Sequence, residues 1–342
     1  MHMRIRTLSR LAFVIAAVIV SSCSAGQAPV QSAAPGSPVL GPGLNLVQPF
    51  SAQRTSGANF TQPALIATDG DTGTLEAWPL HIGGSDSPQA ISPNLGIAFD
   101  DLAANGNVVA IAASNQGVIL YNVATGAKTT LPDPFGSADG ITIDKNQNIY
   151  IGNSVQPTNS IVMYPAHDRQ HPRDLTGCGF INLVGDVAAD NEGDVFAAVF
   201  TQKFAARVIE LPNGPNGPDP KQCVPVDIKP SQAYAGIVID PKTDDLLTLD
   251  NPDECAGGLE GRMVIYPKPY SKSTGIVRDL AANCSGGIKL SADSSKVFIG
   301  DEDVSGSFSY VDQRSFPGGH IEGSYMNGQA GGFTTIPNTL PN

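Results

Sequence analysis

A five-residue pattern that returns six times constrains this chain more than any other feature. Its clearest copy is Gly140-Ile-Thr-Ile-Asp144. Copies begin at residues 96, 140, 186, 236, 287 and 332, so consecutive starts lie 44 to 51 residues apart. Self-similarity at this period is typical of propellers and solenoids, in which each repeat is one supersecondary unit packed against its neighbours. The pattern therefore predicts a repeat architecture.

Three further strand-like segments follow most copies of the pattern. The second is a β-branched or aromatic run after a polar turn, as in Asn148-Ile-Tyr-Ile-Gly152, and the third ends in a bulky residue, as in Tyr164-Pro165. The fourth is weaker and more polar, as at residues 173–175. Four antiparallel strands in each of six units predict an all-β, six-bladed β-propeller. The first segment is expected innermost because its residues are the smallest and most apolar.

The two ends of the repeat region predict how the propeller closes. Residues 64–68 form a second segment with no first segment before it, and residues 332–336 form a first segment with no second after it. We therefore expect one blade to be built from both ends, with the C-terminal strand supplying its inner edge. Such closure removes the open strand edges of a linear array. The propeller is predicted to span residues 46–342.

Composition supports this fold and excludes one class of partner. Gly 37 and Pro 27 with only 15% charged residues favour many short strands joined by turns. The formal net charge is −12, and the first 22 residues contain arginine but no acid, so their removal makes the chain more negative still. Such a surface repels phosphate backbones, so no nucleic-acid partner is expected. The chain is expected to be a monomer.

The N-terminus has the order of an export signal. Arg4, Arg6 and Arg10 precede an apolar run at residues 11–20, which is too short to span a bilayer as a permanent helix. Val20-Ser21-Ser22-Cys23 resembles the lipobox of bacterial lipoproteins, which implies cleavage after residue 22 and lipidation of Cys23. The resemblance implies a lipid anchor in the cell envelope, at the outer membrane if the cell has one. Residues 23–45, rich in Pro, Ser and Ala, are predicted to be a flexible tether.

The succession of Gly-Ile-x-Ile-Asp, Asn-Ile-Tyr-Ile and Ile-Val-Met-Tyr resembles the NHL-repeat and lactonase-like propellers, including the YVTN and gluconolactonase types, over roughly residues 60–340. This chain departs from the family pattern at Asp186, where glycine is usual, and at Ser291 and Ile336, where the family has aspartate. The resemblance implies the propeller fold. For gluconolactonase-type members it also implies a divalent ion at the axis, to which Asp139 and Asp186 would correspond here.

The four cysteines after residue 23 are an even number in a chain expected to be exported, so we expect disulfides. Cys255 follows the second strand of its unit and Cys284 precedes the first strand of the next, which places both on one rim. This favours Cys255–Cys284 and leaves Cys178–Cys223. Close C-x-x-C pairs, as in zinc sites, are missing.

Acidic loops on that same rim are candidate cation ligands. Oxygen-rich segments at residues 250–254 and 301–303 could hold Ca²⁺ or another divalent cation, although the EF-hand spacing is missing. Together with the axial positions, the candidate metal residues are Asp139, Asp186, Asp250, Asp253, Glu254, Asp301 and Asp303.

No assembled catalytic motif stands in the sequence, neither a Gly-x-Ser-x-Gly elbow nor His-Glu-x-x-His. The expected function is therefore a binding or interaction module that uses its rim loops or central channel. Its partner would be a protein, a peptide or a glycan. The alternative is a metal-dependent lactonase or hydrolase of the gluconolactonase-like type.

Overall fold

The computed structural model describes residues 63–70, 72–80, 88–95, 99–114, 116–154, 160–175, 181–201, 206–229, 234–250, 261–280, 285–302, 308–326 and 332–336. All of them lie in one compact unit, Arg54–Asn342. They form six four-stranded antiparallel sheets and contain no α-helix. Within these ranges there is accordingly no helix of the length and hydropathy needed to cross a membrane.

Each four-stranded sheet is one blade, and its strands, numbered in chain order, are given from the inside outward. Blade 1 contains β26 (Phe333–Ile336), β1 (Ala64–Asp69), β2 (Thr74–Pro79) and β3 (Gln89–Ala90). Blade 2 contains β4 (Phe99–Asn105), β5 (Val108–Ala113), β6 (Gly117–Asn122) and β7 (Lys128–Leu131). Blade 3 contains β8 (Ala138–Ile143), β9 (Ile149–Asn153), β10 (Ile161–Tyr164) and β11 (Arg173–Asp174).

The second half of the ring repeats this order. Blade 4 contains β12 (Ile181–Ala189), β13 (Val195–Thr201), β14 (Ala206–Leu211) and β17 (Val224–Pro225). Blade 5 contains β18 (Tyr234–Ile239), β19 (Leu246–Asp250), β20 (Arg262–Tyr266) and β21 (Ile276–Asp279). Blade 6 contains β22 (Ser285–Leu290), β23 (Lys296–Glu302), β24 (Phe308–Ser315) and β25 (Ile321–Met326). A small hairpin, β15 (Asn213–Gly214) and β16 (Gly217–Pro218), and a 3₁₀ turn, Pro220–Gln222, interrupt blade 4 before its outer strand.

The blades close into a ring around their innermost strands. Contacts between innermost strands run in the order β26, β4, β8, β12, β18, β22 and back to β26. Six apolar clusters fill the spaces between neighbouring blades. One of them, between blades 6 and 1, contains Trp78 and Tyr325, whose rings meet edge to face with centroids 6.3 Å apart. The predicted six-bladed propeller is confirmed.

Closure by the C-terminal strand is confirmed as well. β26 pairs antiparallel with β1, from Ala64 opposite Ile336 to Ala67 opposite Phe333. Thr68 extends this pairing, since its backbone N–H donates to the Gly332 carbonyl at 3.1 Å and the Gly332 N–H donates to its Oγ1 at 3.2 Å. Residues from the two ends of the repeat region therefore share one sheet.

The repeated glycine and aspartate serve packing and turn geometry. A Cβ atom on Gly140 would lie 2.5 Å from the Asp186 Cα, so the neighbouring inner strand requires glycine there. At the other end of β8, Asp144 accepts the Asn148 backbone N–H at 2.8 Å and closes the turn. Asp190 makes the same kind of turn contact with the Glu192 and Asp194 N–H groups, each at 2.9 Å.

The sequence pattern misplaced the inner strand of blade 2. In blade 2 the inner strand begins at Phe99, so the residue equivalent to Gly140 is Asp101 and the expected copy at residues 96–100 was displaced by five residues. The apolar 96–100 stretch matched the pattern better than the true strand because Asp101 replaces the usual glycine.

The cysteine predictions lie largely outside the described residues, which include neither Cys23 nor Cys178, Cys255 and Cys284. Cys223 is described. It is disulfide-bonded and packs against the apolar cluster between blades 3 and 4. Its partner lies beyond the described ranges, so both pairings stay predictions.

Candidate axial site

Irregular strand pairing at one rim sets up the site. The inner strands β4, β8, β12, β18 and β22 each break register with their partner strand near their first residues. Successive side chains of a regular strand point to opposite faces of the sheet, and such bulges change this alternation locally. Asp100 lies in the irregularity of β4, and Asp139 lies in that of β8. Both carboxylates are thereby placed at the start of an inner strand, on the same rim.

Two further aspartates, which we call the inner pair, occupy the glycine position of the repeat. Asp101 Oδ2 accepts the backbone N–H of Ile141 on the next inner strand at 3.1 Å. Asp186 does the same in its blade, because its Oδ2 accepts the Ile237 N–H at 2.8 Å. The other oxygen, Asp186 Oδ1, accepts the Val187 N–H at 2.8 Å. The inner pair therefore links neighbouring blades through their backbones.

Lys289 reaches the inner pair from β22, which is separated from β4 by β26. Its Nζ lies 2.8 Å from Asp101 Oδ2, and the two side chains keep only 14% and 17% of their exposure. Burial lowers the pKa of Lys289, but the charges of Asp101 and Asp186 outweigh burial and leave that pKa raised. Lys289 is therefore a buried cation that contacts Asp101 and is also stabilised by the charge of Asp186.

Asp100 and Asp139, which we call the outer pair, have a different environment. Asp100 accepts a hydrogen bond from the Ser114 hydroxyl, and a hydrogen bond from Ser154 lowers the pKa of Asp139. Among the described residues, no lysine or arginine forms an ion pair with either carboxylate. Among the described residues, the outer pair therefore has no basic side chain that would neutralise its carboxylates when they are ionised.

Burial is the main cause of the raised pKa values of the axial aspartates. Burial, followed by the charge of Asp100, raises the pKa of Asp139 to about 8 against the opposing hydrogen bond from Ser154. Burial also raises the pKa of Asp100 to about 6, with a smaller contribution from Asp101. Burial raises the pKa of Asp186 and of Asp101, and Lys289 opposes both shifts. At neutral pH Asp139 therefore mostly keeps a proton that an exposed carboxyl group would have lost.

The structure brings two of the predicted metal residues together and gives a third a basic partner. Asp139 and Asp186 are close enough for the charge of Asp186 to raise the pKa of Asp139. Asp250 forms instead an ion pair with Arg262 across β19 and β20, with Nη2 and Oδ2 2.6 Å apart. Asp301 lies in β23 with its backbone opposite Tyr310. Asp253, Glu254 and Asp303 lie outside the described residues.

A second acidic set lies in the turn at the far end of β12. Within the described part of the chain, only Asp190, Glu192 and Asp194 form a group of three acidic side chains with ligand oxygens all within 4.8 Å of one another. Lys268 already lies there, with its Nζ 2.9 Å from Glu192 Oε2 and 3.1 Å from Asp190 Oδ2. This set is therefore partly neutralised.

Three residues of the axial cluster were missed from the sequence: Asp100, Asp101 and Lys289. The signal for Lys289 was present, since it is the only charged residue among the equivalent central positions of the inner strands. Asp101 would have been found by aligning Asp101-Leu-Ala-Ala-Asn105 with the repeat, where it matches the aspartate at position 186. The place of Asp100 in the site depends on the bulge of β4, which no short pattern in the sequence reveals.

Comparisons with known proteins show the fold. No family model and no curated protein sequence matches this chain. A chain in the crystal structure of a nidogen/laminin complex is similar with a TM-score of 0.64 and 14% identity, covering 81% of this chain and 100% of that one. TolB from Acinetobacter baumannii has a TM-score of 0.58 and 11% identity, covering 82% and 68%.

A gluconolactonase from Xanthomonas campestris, XC5397, is similar with a TM-score of 0.55 and 11% identity, covering 80% of this chain and 88% of that one. Identities this low show a shared fold alone. The expected resemblance to gluconolactonase-type and other propellers is confirmed for the fold, and its NHL-repeat and lipoprotein features stay predictions.

Proposed function

We propose that this protein is a binding module whose axial mouth takes a cationic group of its partner, an ammonium or guanidinium group carried by a peptide or protein. The observation that supports it is the outer pair, Asp100 and Asp139, two sheltered carboxylates without a basic partner among the described residues. A cation placed there would favour the ionised form of both carboxyl groups. Charge-assisted hydrogen bonds to carboxylates are among the stronger polar contacts.

The alternative function, a metal-dependent lactonase, is supported less well by the same geometry. Ca²⁺ requires six to eight oxygen ligands at about 2.3–2.6 Å. Both oxygens of Asp186 already accept hydrogen bonds from backbone N–H groups. Asp101 Oδ2 accepts hydrogen bonds from the Ile141 N–H and from Lys289 Nζ. Among the described residues, no three of the axial aspartates have ligand oxygens that all lie within 4.8 Å of one another. With the Lys289 ammonium group on Asp101, the residues that the resemblance assigns to a metal therefore do not fit one.

The proposal is tested with peptide binding to the full-length purified protein. A peptide array with lysine or arginine at one end, paired with acetyl-lysine and citrulline versions, would be measured against wild type and Asp139→Asn. We expect selective binding of the charged peptides and at least a tenfold loss in Asp139→Asn. The matched control is Asp279→Asn, at an exposed carboxylate on the outer strand β21. Equal binding of charged and neutral peptides, or an unchanged affinity in Asp139→Asn, would contradict the proposal.

We further propose that the module works outside the cytoplasm, tethered through a lipid on Cys23. Support comes from the lipobox-like Val20-Ser21-Ser22-Cys23 and the uncharged segment that follows it. Membrane fractionation and mass spectrometry of the N-terminal peptide test this: the wild type should carry a lipid on Cys23, and Cys23→Ser should release the protein into the soluble fraction. A soluble wild type with an unmodified cysteine would refute it.

A further inference from the structure

Lys289 differs in kind from its counterparts around the ring. The central position of the repeat holds Ala103, Thr142, Ala188, Val238 and Thr334 in the other five inner strands, none of them charged. A lysine that keeps only 14% exposure is costly to bury unless its charge is paired. Lys289 meets this condition because its Nζ lies 2.8 Å from Asp101 Oδ2, so the charged lysine is a stable part of the site.

The position of the ammonium group relative to the strands is the second observation. Lys289 starts from β22 and contacts Asp101 on β4, which lies two strands away around the ring. The charge of Asp186 on β12, two strands away from β22 in the other direction, also acts on it. The ammonium group therefore lies among inner strands that are not neighbours. A metal ion bridging the axial aspartates would have to occupy this same region.

We propose that Lys289 is a built-in cation that keeps divalent metal ions out of the axial cluster. Its ammonium group satisfies Asp101 and repels a second cation placed beside the inner pair, because like charges at short range in a sheltered site interact strongly. The outer pair stays available to a ligand. Lys289 thus determines specificity by closing the inner pair to metals, and this role holds whatever ligand the outer pair binds.

Calorimetric titration of the full chain with Ca²⁺ and with Mn²⁺ tests the proposal. All proteins would carry Glu192→Gln, which weakens the separate acidic set in the turn after β12. In that background we expect no saturable axial site. Adding Lys289→Met should create one site with a Kd on the order of 10⁻⁵ to 10⁻³ M, the range of weak calcium sites. Lys289→Arg keeps the charge and should bind no metal.

A second substitution locates any new site. Adding Asp139→Asn to Lys289→Met should weaken metal binding at least tenfold, whereas adding Asp279→Asn should leave it unchanged. The proposal is overturned if the lysine-containing protein already binds a divalent ion at a site that Asp139→Asn abolishes. It is also overturned if a folded Lys289→Met protein gains no site. Should Lys289→Met fail to fold, the titrations of the lysine and arginine forms with and without Asp139→Asn still decide it.

Discussion

Replacing Asp139 with asparagine should stabilise the protein at pH 8 and leave its stability unchanged only below the ordinary carboxyl pKa of 3.8. The pKa of Asp139 is raised to about 8 in the folded chain, against an ordinary value of 3.8. Between these values the folded state holds a proton that the unfolded state has lost, so the free energy of unfolding falls as pH rises. Asparagine mimics the protonated form and keeps an oxygen for Ser154, so it removes this dependence.

The size of the effect follows from the same shift. One group contributes up to about 1.4 kcal/mol of unfolding free energy per pH unit within its window, or about 4 kcal/mol between pH 5 and pH 8. Partial access of water to the rim reduces this figure, so we expect Asp139→Asn to exceed wild type by about 1–3 kcal/mol at pH 8. Urea unfolding at pH 5, 6.5 and 8 measures it, with Asp279→Asn as the control. A difference between Asp139→Asn and wild type that is the same at all three pH values would refute the reasoning.

Two further predictions concern the ring itself. Deleting residues 332–342 removes β26 and should abolish cooperative unfolding. Phe333→Ala removes a side chain with 2% exposure and should lower the free energy of unfolding in urea by about 3–5 kcal/mol. Unchanged unfolding curves would argue against closure by this strand. Gly140→Ala should cost about 1–3 kcal/mol because its Cβ would lie 2.5 Å from the Asp186 Cα, whereas Gly185→Ala, with its nearest atom at 4.0 Å, should be far milder in the same assay. Equal costs for the two glycine variants would show that this close approach is not what limits position 140.

Most of the fold was predictable because the repeat fixes which strands exist and in what order. The two strands that close the ring were predicted at residues 64–68 and 332–336, and they lie at Ala64–Asp69 and Phe333–Ile336. The inner strand of blade 2 was misplaced because Asp101 breaks the glycine pattern there. Local sequence matching favours the stretch that resembles the repeat, whereas the register is decided by contacts between blades.

The candidate site was predictable only in part. Asp186 stood out as a departure from the repeat, and Asp139 was adjacent to a copy of it. The ion pair between Lys289 and Asp101 joins residues 188 positions apart, so nothing local in the sequence connects them. Sequence patterns fail most often at functional sites, because the residues there differ from the residue types that the repeat has at the same positions.

Proton release on ligand binding tests the central claim most directly. A cation bound at the outer pair lowers the pKa of Asp139, which is mostly protonated at pH 7, and so expels its proton. Titration calorimetry of a lysine-terminated peptide at pH 7 in two buffers of different ionisation enthalpy measures the number released. We predict on the order of one proton per bound peptide for wild type and a clear reduction for Asp139→Asn. Peptide binding with no proton release, or with equal release in both proteins, would contradict the account.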